Sequence, residues 1–513
     1  MKIRNVIILL AGIIAVNVFV SCTDEQKYSS SSKIKLQFST DTVSFDTVFT
    51  AMSSVTKQIK VYNPYSDAVK IDYITLGSGA VSFFRLNVDG DTSLTVRNVE
   101  LLGKDSLFIF VKVELNPNNQ SNPLLVEDSI IFSFNGKTQS VLLSAYGQDA
   151  YYHKSLKDAA HTLKMLEYNS LYNRYDTVNF YYSLANEGSA EQGIEVSGNN
   201  IVWKNDKPHV IIDNMVVDSA YTLNLTEGTK IYMGNGSEFW VYTGGSLKAR
   251  GTTPNPVEFL SLRMQDRYAD IPGQWGRIWL WAGSYDNVMD NTVIKNAVIG
   301  LQVDTVVNNN HTLELTNTII ANCSQNGLLA RGADIYSYNL LVYNTGGSTV
   351  KLTMGGSYEF IGCTFANYWS YDGKRNEAVL QLNDYYIDNT YNVQLRRINK
   401  ADFYNTVIYG SAAENEIDFD LSEDLDSQYL FDHCLVKYDN KEGKSSAFKN
   451  CVFNKDPLFV DYTAGDFHTE NNSPVIGCGD GIWNNIIPYD IFGIQRLEPP
   501  SAGAVENRSR VDG

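Results

Sequence analysis

Cysteine is scarce in this sequence, and its spacing fits no thiolate metal site. Six of the 513 residues are cysteine, and no two of them form a C-x-x-C pair. Zinc sites built on thiolates use such short spacings, so their absence argues against a site of this kind. The six histidines are equally scattered, which leaves no zinc cluster or catalytic triad to propose from the sequence.

The sequence also lacks an excess of positive charge. Its 41 basic residues are outnumbered by 58 acidic ones, which gives a net charge of −17 and an isoelectric point near 4.8. Nucleic acids and anionic membrane surfaces would repel such a protein, so neither is expected as a partner. Neutral glycans, cations and other proteins remain.

No apolar run is long enough to predict a membrane-spanning helix. The longest, Val6 to Val20, is interrupted only by Asn17 and is shorter than the roughly 20 residues that a span requires. Because Lys2 and Arg4 precede it, the segment has the charged start and apolar centre of a cleaved signal peptide.

The end of this segment resembles the lipobox of bacterial lipoproteins. Phe19, Val20 and Ser21 precede Cys22. The resemblance implies that residues 1–22 are a lipoprotein signal peptide, which is removed up to Cys22. The acylated Cys22 would then anchor the protein in the membrane. The alternative is an ordinary signal peptide with an incidental cysteine. Polar, Ser-rich residues 23–33 predict a flexible tether. Asp24-Glu25 resembles the surface-export tag of some Gram-negative lipoproteins, so an outer-membrane lipoprotein facing either the cell surface or the periplasm is expected.

Residues 34–148 have the pattern of an all-β domain. In Leu107 to Leu115 every second residue is apolar, which predicts a strand with one buried face. Asn135-Gly136 is a strong hairpin signal. About seven such strands predict an immunoglobulin-like sandwich, and the run from Phe45 to Ile74 resembles the opening strands of bacterial Ig-like domains. Its expected role is a spacer, with partner binding as the alternative.

Residues 149–200 are expected to connect this domain to the next. Leu156, Ala160 and Leu163 follow helical spacing, which favours a short helix over residues 153–167.

A repeat of about 22 residues occupies much of residues 201–490. Its copies have the form N-x-x-[I/V/F]-x-N, with short β-branched runs between Asn or Gly residues. Such a period predicts a parallel β-helix, in which coils stack on one another and asparagine tolerates the left-handed backbone of the corners. The copies begin at Asn291, Asn317, Asn339 and Gly362, and weaker ones begin at Asn405, His433 and Asn450.

The same region resembles the right-handed β-helix proteins of the pectate-lyase-like superfamily. Residues 217–251 resemble their first coils, and Gly273 to Trp279 continues the resemblance. Segments from Asp456 to Glu506 resemble the closing part of secreted β-helix proteins, with residues 491–513 forming the closing segment and tail. The predicted fold class is therefore all-β: an N-terminal Ig-like sandwich followed by a right-handed parallel β-helix. A fold class alone does not indicate which reaction a protein catalyses.

Three cysteines, Cys363, Cys434 and Cys451, each follow the first corner residue of a repeat. They are expected to stack on one interior ladder as buried free thiols. Since adjacent coils are about 4.8 Å apart, a disulfide between Cys434 and Cys451 is the alternative.

Residues 368–400 exceed one coil and predict a protruding loop, which is where β-helices tend to carry function. Its aromatic rings suit the apolar face of a sugar, and Arg396 or Arg397 is a candidate catalytic base for a lyase. The alternative is a loop folded onto the helix surface with tyrosines as packing. The candidate ligand-binding residues are Trp369, Tyr371, Tyr385, Tyr386 and Tyr391.

Acidic residues cluster shortly after this loop. Glu416, Asp418 and Asp420 alternate along an expected strand, so they should share one face and form a candidate Ca²⁺ platform. A solvated acidic face is the more common explanation of such a run. No other cofactor is indicated.

Trp275, Trp279 and Trp281 are expected to pack in the core, with the last two on one face of a strand. Taken together, these patterns favour a membrane-anchored β-helix that binds glycans or neighbouring surface proteins without catalysis. Two alternatives stay open: a polysaccharide lyase or glycoside hydrolase acting in a groove of the β-helix, and a structural adhesin or spacer.

Overall fold

The computed structural model describes eight stretches of the chain. It divides into two compact units, residues 1–149 and 150–513, and among the described residues no helix is long and apolar enough to cross a membrane. The expected signal peptide and Cys22 lie outside the described residues. The described stretches are 27–49, 56–115, 124–169, 174–305, 311–373, 375–412, 415–439 and 445–507.

The N-terminal unit consists of two sheets that share one apolar core. All strand pairs are antiparallel except the pair of Thr42–Phe49 with Lys137–Gln148. One sheet has the order Gln37–Phe38, Lys57–Tyr62, Ser106–Val113, Phe84–Val88. The other has the order Thr42–Phe49, Lys137–Gln148, Leu124–Phe134, Val69–Leu76, Thr95–Leu101. The sequence suggested about seven strands, and the described residues form nine.

The hairpin expected at Asn135-Gly136 is present. Phe134 pairs with Lys137, and both turn residues have positive φ, 51° for Asn135 and 72° for Gly136. A two-residue turn with φ > 0 at both positions matches the twist of the strands that it joins. Along Ser106–Val113 burial alternates as expected.

The second unit is a parallel β-helix made of three long sheets, here called S1, S2 and S3. S1 comprises Tyr151–His153, His209–Ile211, Lys230–Met233, Val257–Ser261, Thr292–Lys295, Ile319–Cys323, Leu341–Thr345, Thr364–Asn367, Val407–Gly410, Leu435–Val436 and Val452–Phe453. S2 comprises Thr162–Asn169, Arg174–Leu184, Asn214–Val217, Phe239–Val241, Trp275–Leu280, Ala297–Val303, Leu328–Arg331, Val350–Thr353, Leu380–Asn383 and Ile417–Asp420. S3 comprises Ile194–Ser197, Asn200–Trp203, Thr222–Leu225, Ser246–Arg250, Asn287–Asp290, Leu313–Thr316, Asp334–Tyr338, Gly356–Ile361, Ile398–Tyr404, Leu430–Asp432 and Phe448–Lys449.

The remaining elements are short. Two small hairpins pair Tyr385–Ile387 with Val393–Leu395 and Phe459–Asp461 with Asp466–Thr469. Helical turns occur at Gly79–Val81, Ala190–Gln192, Asp266–Tyr268, Ser445–Ala447 and Gly481–Asn485.

The helix expected over residues 153–167 was a wrong prediction. Tyr151–His153 is the first strand of S1, and Thr162–Asn169 pairs with Arg174–Leu184 as an antiparallel hairpin at the start of S2. Strand pairing across this hairpin outweighs the helical spacing of the leucines. Strands of the β-helix are therefore present within the residues expected to form a connector.

The repeat predicted from the sequence is confirmed. The segments after Asn291, Asn317 and Asn339 are successive strands of S1. All seven repeat starts have a left-handed backbone, with φ between 47° and 57°, the region that asparagine and glycine tolerate best. Asparagine side chains also bond between coils: Asn339 donates to Asn317 at 2.9 Å and Asn344 donates to Asn322 at 2.6 Å.

Inside the coils, one apolar core runs the length of the unit. The five cysteines in the described residues are free; Cys363 and Cys434 are buried, while Cys451 is half-buried. Burial raises the pKa of the Cys363 thiol to about 12.

The chain after Phe453 returns along the outside of S1. Phe467, Ile491 and Val505 pack there on Leu341 and Tyr343. Arg496, fully buried, donates to Asn339 Oδ1 at 2.7 Å and to the Gly503 carbonyl at 2.9 Å. This segment therefore covers the outer face of S1 from the strand Ile319–Cys323 onward.

Candidate functional site: the outer face of S2

Strand pairing in S2 aligns one outward-pointing side chain from each coil in a continuous row. Eight coils contribute, and at about 4.8 Å per coil the row is about 34 Å long. Exposure along the row is uneven, because three of its side chains are at most 6% exposed whereas the other five are half-buried or exposed. In order, the row is Val216, Trp240, Trp279, Gln302, Leu329, Lys351, Gln381 and Asp418.

The first half of the row carries a group of aromatic rings, called here the aromatic platform (Trp240, Tyr242, Trp279, Trp281). Trp279 and Trp281 stack with centroids 4.4 Å apart. Trp240 meets Trp279 edge-on at 6.4 Å, and Tyr242 lies 5.0 Å from Trp281. Trp240 is almost fully buried, whereas the other three rings are half-buried, so the platform keeps a partly exposed aromatic surface.

This arrangement corrects the core-packing expectation for two of the tryptophans. Trp275 is buried inside the coils, with its indole N–H donating to the Lys295 carbonyl at 2.8 Å. Trp279 and Trp281 share the opposite, outer face of the same sheet. Alternation along the strand grouped these two correctly, but the sequence could not show which face pointed inward.

Charged groups hold the platform in place. Arg277 donates to Glu238 at 3.1 Å and to Gln302 at 2.7 Å, and its guanidinium lies 4.2 Å from the centroid of the Trp279 ring. Asp304 accepts from the Trp279 indole at 2.9 Å and from Arg331 Nε at 2.6 Å.

Each cation of the platform is thus matched by a carboxylate. The Arg277–Glu238 and Arg331–Asp304 pairs are partly shielded, with the two carboxylates only 16% and 10% exposed. Because such charge-assisted bonds are strong and fix their partners, the charge of each guanidinium is already compensated by a carboxylate. Polar edges around half-buried aromatic rings favour a neutral, hydroxyl-rich molecule.

One donor of the platform is unused. The indole N–H of Trp281 is shielded from solvent and has no hydrogen-bond partner among the described residues. Buried donors are normally paired, so a ligand hydroxyl or a water is expected to accept this bond.

The second half of the row ends in a groove, called here the S2 groove. Its volume is about 490 Å³, within the range of about 300–1,000 Å³ typical of ligand sites. Phe419 and Tyr438 provide its aromatic wall. Its polar lining comes from Asn376, Glu377, Gln381, Asn415 and Asp418.

The groove is acidic. Burial opposes ionisation of Glu377, but hydrogen bonds from Ser348 and the nearby Lys351 ammonium outweigh burial and hold the pKa of Glu377 below its usual range. Asp418 is exposed and accepts a hydrogen bond from Gln381 at 3.0 Å. Among the described residues that line the groove, none is a lysine or arginine.

The aromatic residues singled out in the 368–400 segment lie apart from this groove in two groups, Trp369 with Tyr371, whose ring centroids are 5.9 Å apart, and the three tyrosines of the protruding hairpin. Trp369 is buried, with its indole donating to Asp372 at 2.8 Å, and Tyr371 is 57% exposed. Tyr385 and Tyr386 belong to the protruding hairpin, and Tyr391, 90% exposed, is at its tip. The segment forms two excursions, one on each side of the S2 strand Leu380–Asn383, and only the first borders the groove.

The candidate basic residues are on the hairpin stem. Arg396 donates to the Tyr386 hydroxyl at 3.3 Å and lies over that ring. Arg397 is 3.8 Å from Asp426, and both side chains are largely exposed. Neither arginine lines the S2 groove.

The three acids proposed as a Ca²⁺ platform have separate roles. Glu416 is fully buried and pairs with Arg375 at 2.6 Å, while its other oxygen accepts the Val379 N–H. Asp420 accepts from the Tyr385 hydroxyl at 2.8 Å, and only Asp418 faces the groove. Within the described ranges, no three His, Cys, Asp or Glu side chains gather so as to hold a metal ion.

Most of the platform was not identified from the sequence, although a signal for it exists. Counting six or seven residues from the second asparagine of a repeat reaches the outward row: Asn296 leads to Gln302, Asn322 to Leu329 and Asn344 to Lys351. The charged residues lie two positions from that row: Asp304 follows Gln302 and Arg331 follows Leu329 by two, and Arg277 precedes Trp279, in the preceding coil, by two.

Comparison with known proteins gives no family for the chain. No protein-family model matches it, and no curated protein matches its sequence. Solved structures match weakly. The periplasmic alginate epimerase AlgG is 10% identical, with 55% of this chain and 86% of that chain covered and a TM-score of 0.18.

A family 123 glycoside hydrolase from Clostridium perfringens is 8% identical over 23% of this chain and 27% of that one, with a TM-score of 0.18. The VesB protease of Vibrio cholerae is 15% identical over 22% and 31%, with a TM-score of 0.16. This chain therefore spans less than a third of the length of the glycoside hydrolase and of the protease. Scores this low support no inference about activity.

Proposed function

We propose that this chain is an acylated outer-membrane lipoprotein whose β-helix binds glycan chains along the outer face of S2. The observation that carries the proposal is the aromatic platform with its paired charges. Half-buried tryptophan rings provide apolar surface for sugar rings, and the Trp281 indole N–H lacks an acceptor among the described residues. In this proposal the lipid on Cys22 anchors the chain and the N-terminal sandwich serves as a spacer.

The ion pairs of the platform favour neutral glycans over acidic ones as ligands. A polysaccharide rich in uronic acids needs an available cation, and both arginines of the platform are already matched by carboxylates. With a net charge of −17, the protein would also repel polyanions over longer distances. The preferred ligand is therefore a neutral glycan, bound without cleavage.

Affinity electrophoresis of the full chain in detergent, in gels that contain neutral or acidic polysaccharides, tests the proposal. Neutral glycans are expected to retard the protein, and Trp279→Ala should weaken this about tenfold, the loss of about 1.4 kcal/mol of aromatic contact. Tyr489→Ala is the matched control, because Tyr489 is 55% exposed and lies on the closing segment outside S1. Thermal unfolding of each variant confirms that the fold is intact.

The outcomes separate the competing hypotheses. Equal retardation of wild type and Trp279→Ala would reject the platform as the site, and loss of retardation in Tyr391→Ala instead would place the site on the hairpin. New reducing ends or unsaturated products that disappear in Arg396→Ala or Arg397→Ala would establish the polysaccharide lyase or hydrolase alternative.

A further inference from the structure

We infer that a small pocket on the outside of S1, called here the S1 pocket, recognises the acetamido group of an N-acetylated sugar. The pocket lies between S1 and the hairpin of Phe459–Asp461 with Asp466–Thr469. Because it is on a different sheet from the aromatic platform, this inference goes beyond the proposed function and does not depend on it. It is carried by a donor and an acceptor that have no partners there.

The size of the S1 pocket suits a small chemical group rather than a whole sugar ring. Its volume is about 90 Å³, which is room for about three water molecules at about 30 Å³ each. Ala366, the small neighbour of Tyr343 in the next coil, and Phe467 give it an apolar lining, and both are buried. At its rim Tyr462, 42% exposed, stacks on Tyr368 with centroids 3.8 Å apart.

The donor is the hydroxyl of Tyr343. This side chain is only 8% exposed, yet its hydroxyl forms no hydrogen bond within the described residues, whereas buried tyrosine hydroxyls usually have a partner. The hydroxyl oxygen is 2.7 Å from the position that a β-carbon on Gly465 would take. It therefore reaches the turn of the hairpin whose Tyr462 and Thr463 line the pocket. Burial raises the pKa of Tyr343 to about 12, so the hydroxyl keeps its proton at neutral pH.

The acceptor results from a break in the row of asparagine bonds between coils. Asn344 donates to Asn322 of the preceding coil at 2.6 Å, so its Oδ1 is turned towards the next coil, which contributes Tyr368 to the pocket. Asn367 of that coil would continue the row, but it is buried and donates to the Thr345 carbonyl at 2.8 Å instead. Asn344 Oδ1 is therefore left without a donor among the described residues.

An acetamido group matches all three features of the pocket. Its carbonyl accepts from the Tyr343 hydroxyl, its N–H donates to Asn344 Oδ1, and its methyl group fills the apolar space beside Ala366 and Phe467. A hydroxyl group would leave that space empty, and a carboxylate would meet no cation among the described residues that line the pocket. The attached sugar ring would lie against the exposed ring of Tyr462.

Saturation-transfer NMR of the full chain in detergent tests this site. The probes are the methyl glycosides of N-acetylglucosamine and glucose, which differ only in the acetamido group. The N-acetylated probe is expected to bind about tenfold more tightly, the combined factor for a hydrogen bond and a buried methyl group, and its acetyl methyl should receive the strongest saturation. Tyr343→Phe should weaken its binding about fivefold, the factor for one hydrogen bond, and leave the glucose probe unchanged.

Tyr409→Phe is the matched control, because Tyr409 is the next neighbour of Ala366 in the same outward row but does not line the pocket. Equal binding of the two probes by wild type, or an equal effect of Tyr343→Phe and Tyr409→Phe, would overturn the inference. The methyl signal needs no variant, and saturation confined to the protons of the sugar ring would overturn it as well.

The outcomes also separate this inference from the proposed function. If Trp279→Ala removes the preference for the N-acetylated probe and Tyr343→Phe does not, the platform recognises the acetamido group and only the S1 pocket fails. If Tyr343→Phe removes the preference while neutral polysaccharides do not retard the wild-type protein, the S1 pocket stands and the platform fails.

Discussion

A buried histidine pair at the first coils makes the stability of the β-helix depend on pH. His153 Nε2 and His209 Nδ1 are 2.9 Å apart, and His209 Nε2 is 2.7 Å from the Lys204 carbonyl. Because the carbonyl can only accept, His209 carries its proton on Nε2, and His153 must then donate to Nδ1. Both rings stack on Trp203. Burial disfavours a positive charge on either ring and lowers both pKa values.

The magnitude follows from the pKa of His209. Burial lowers it from 6.5 to about 4, and burial also lowers the pKa of His153 well below 6.5. Between about pH 6.5 and pH 4, the His209 side chain is protonated in the unfolded chain but neutral in the folded chain. The free energy of unfolding therefore falls as the pH falls from about 6.5 towards 4. Lowering the pH from 7 to 5 should therefore cost about 2 kcal/mol through His209, and His153 adds a loss of the same sign.

Urea unfolding at both pH values, for wild type and His209→Gln, isolates this contribution. Glutamine can still donate to the Lys204 carbonyl but does not titrate, so the variant should lose about 2 kcal/mol less than wild type between pH 7 and 5. His161 provides an internal contrast: hydrogen bonds to Asp158 and Glu187 raise its pKa, so it opposes acid destabilisation in both proteins alike. An identical pH dependence in wild type and variant would refute the reasoning.

Three further predictions concern the fold. Arg496→Met should destabilise the closing segment by about 3–5 kcal/mol in urea unfolding, because it leaves Glu506 buried without its cation. Adding Glu506→Gln to the same chain should recover part of this loss. Strict additivity of the two changes in unfolding free energy would contradict the pairing. Asn317→Ala should cost about 1–2 kcal/mol more than Asn317→Gly, since alanine is strained at φ 47°; equal unfolding free energies would show that the corner is not left-handed. Cys323, whose pKa is raised by burial to about 12 as is that of Cys363, should resist maleimide at pH about 8 until urea is added; mass spectrometry that finds labelled Cys323 in the native protein would contradict its place in the core.

The corners of the β-helix could be predicted from the sequence because a local requirement recurs along the chain. Asn291, Asn317 and Asn339 each meet the same need for a left-handed residue, and their spacing fixes which strands lie next to one another. The alternation in Leu107–Leu115 works in the same way for the sandwich. In both cases the signal lies in residues close together in the chain.

The binding face could not be predicted in the same way, because it depends on contacts between distant residues. The partner of Glu416 is Arg375, 41 positions away, and this pairing removes the expected Ca²⁺ platform. Trp279 and Trp281 face outward only because Ile278 and Leu280 take the interior positions. Composition correctly marked the 368–400 segment as unusual, but it could not show that the segment divides around an S2 strand.

Photoaffinity labelling tests the central claim, that the outer face of S2 is the ligand-binding face, most directly. A neutral oligosaccharide carrying a diazirine group would be cross-linked to the full chain, and the modified peptides would be located by mass spectrometry. We predict labels on peptides that contain Trp240, Trp279 to Trp281 and Gln302, competed away by unmodified oligosaccharide. Competable labels confined to the Tyr385–Leu395 hairpin or to the N-terminal sandwich would contradict the account.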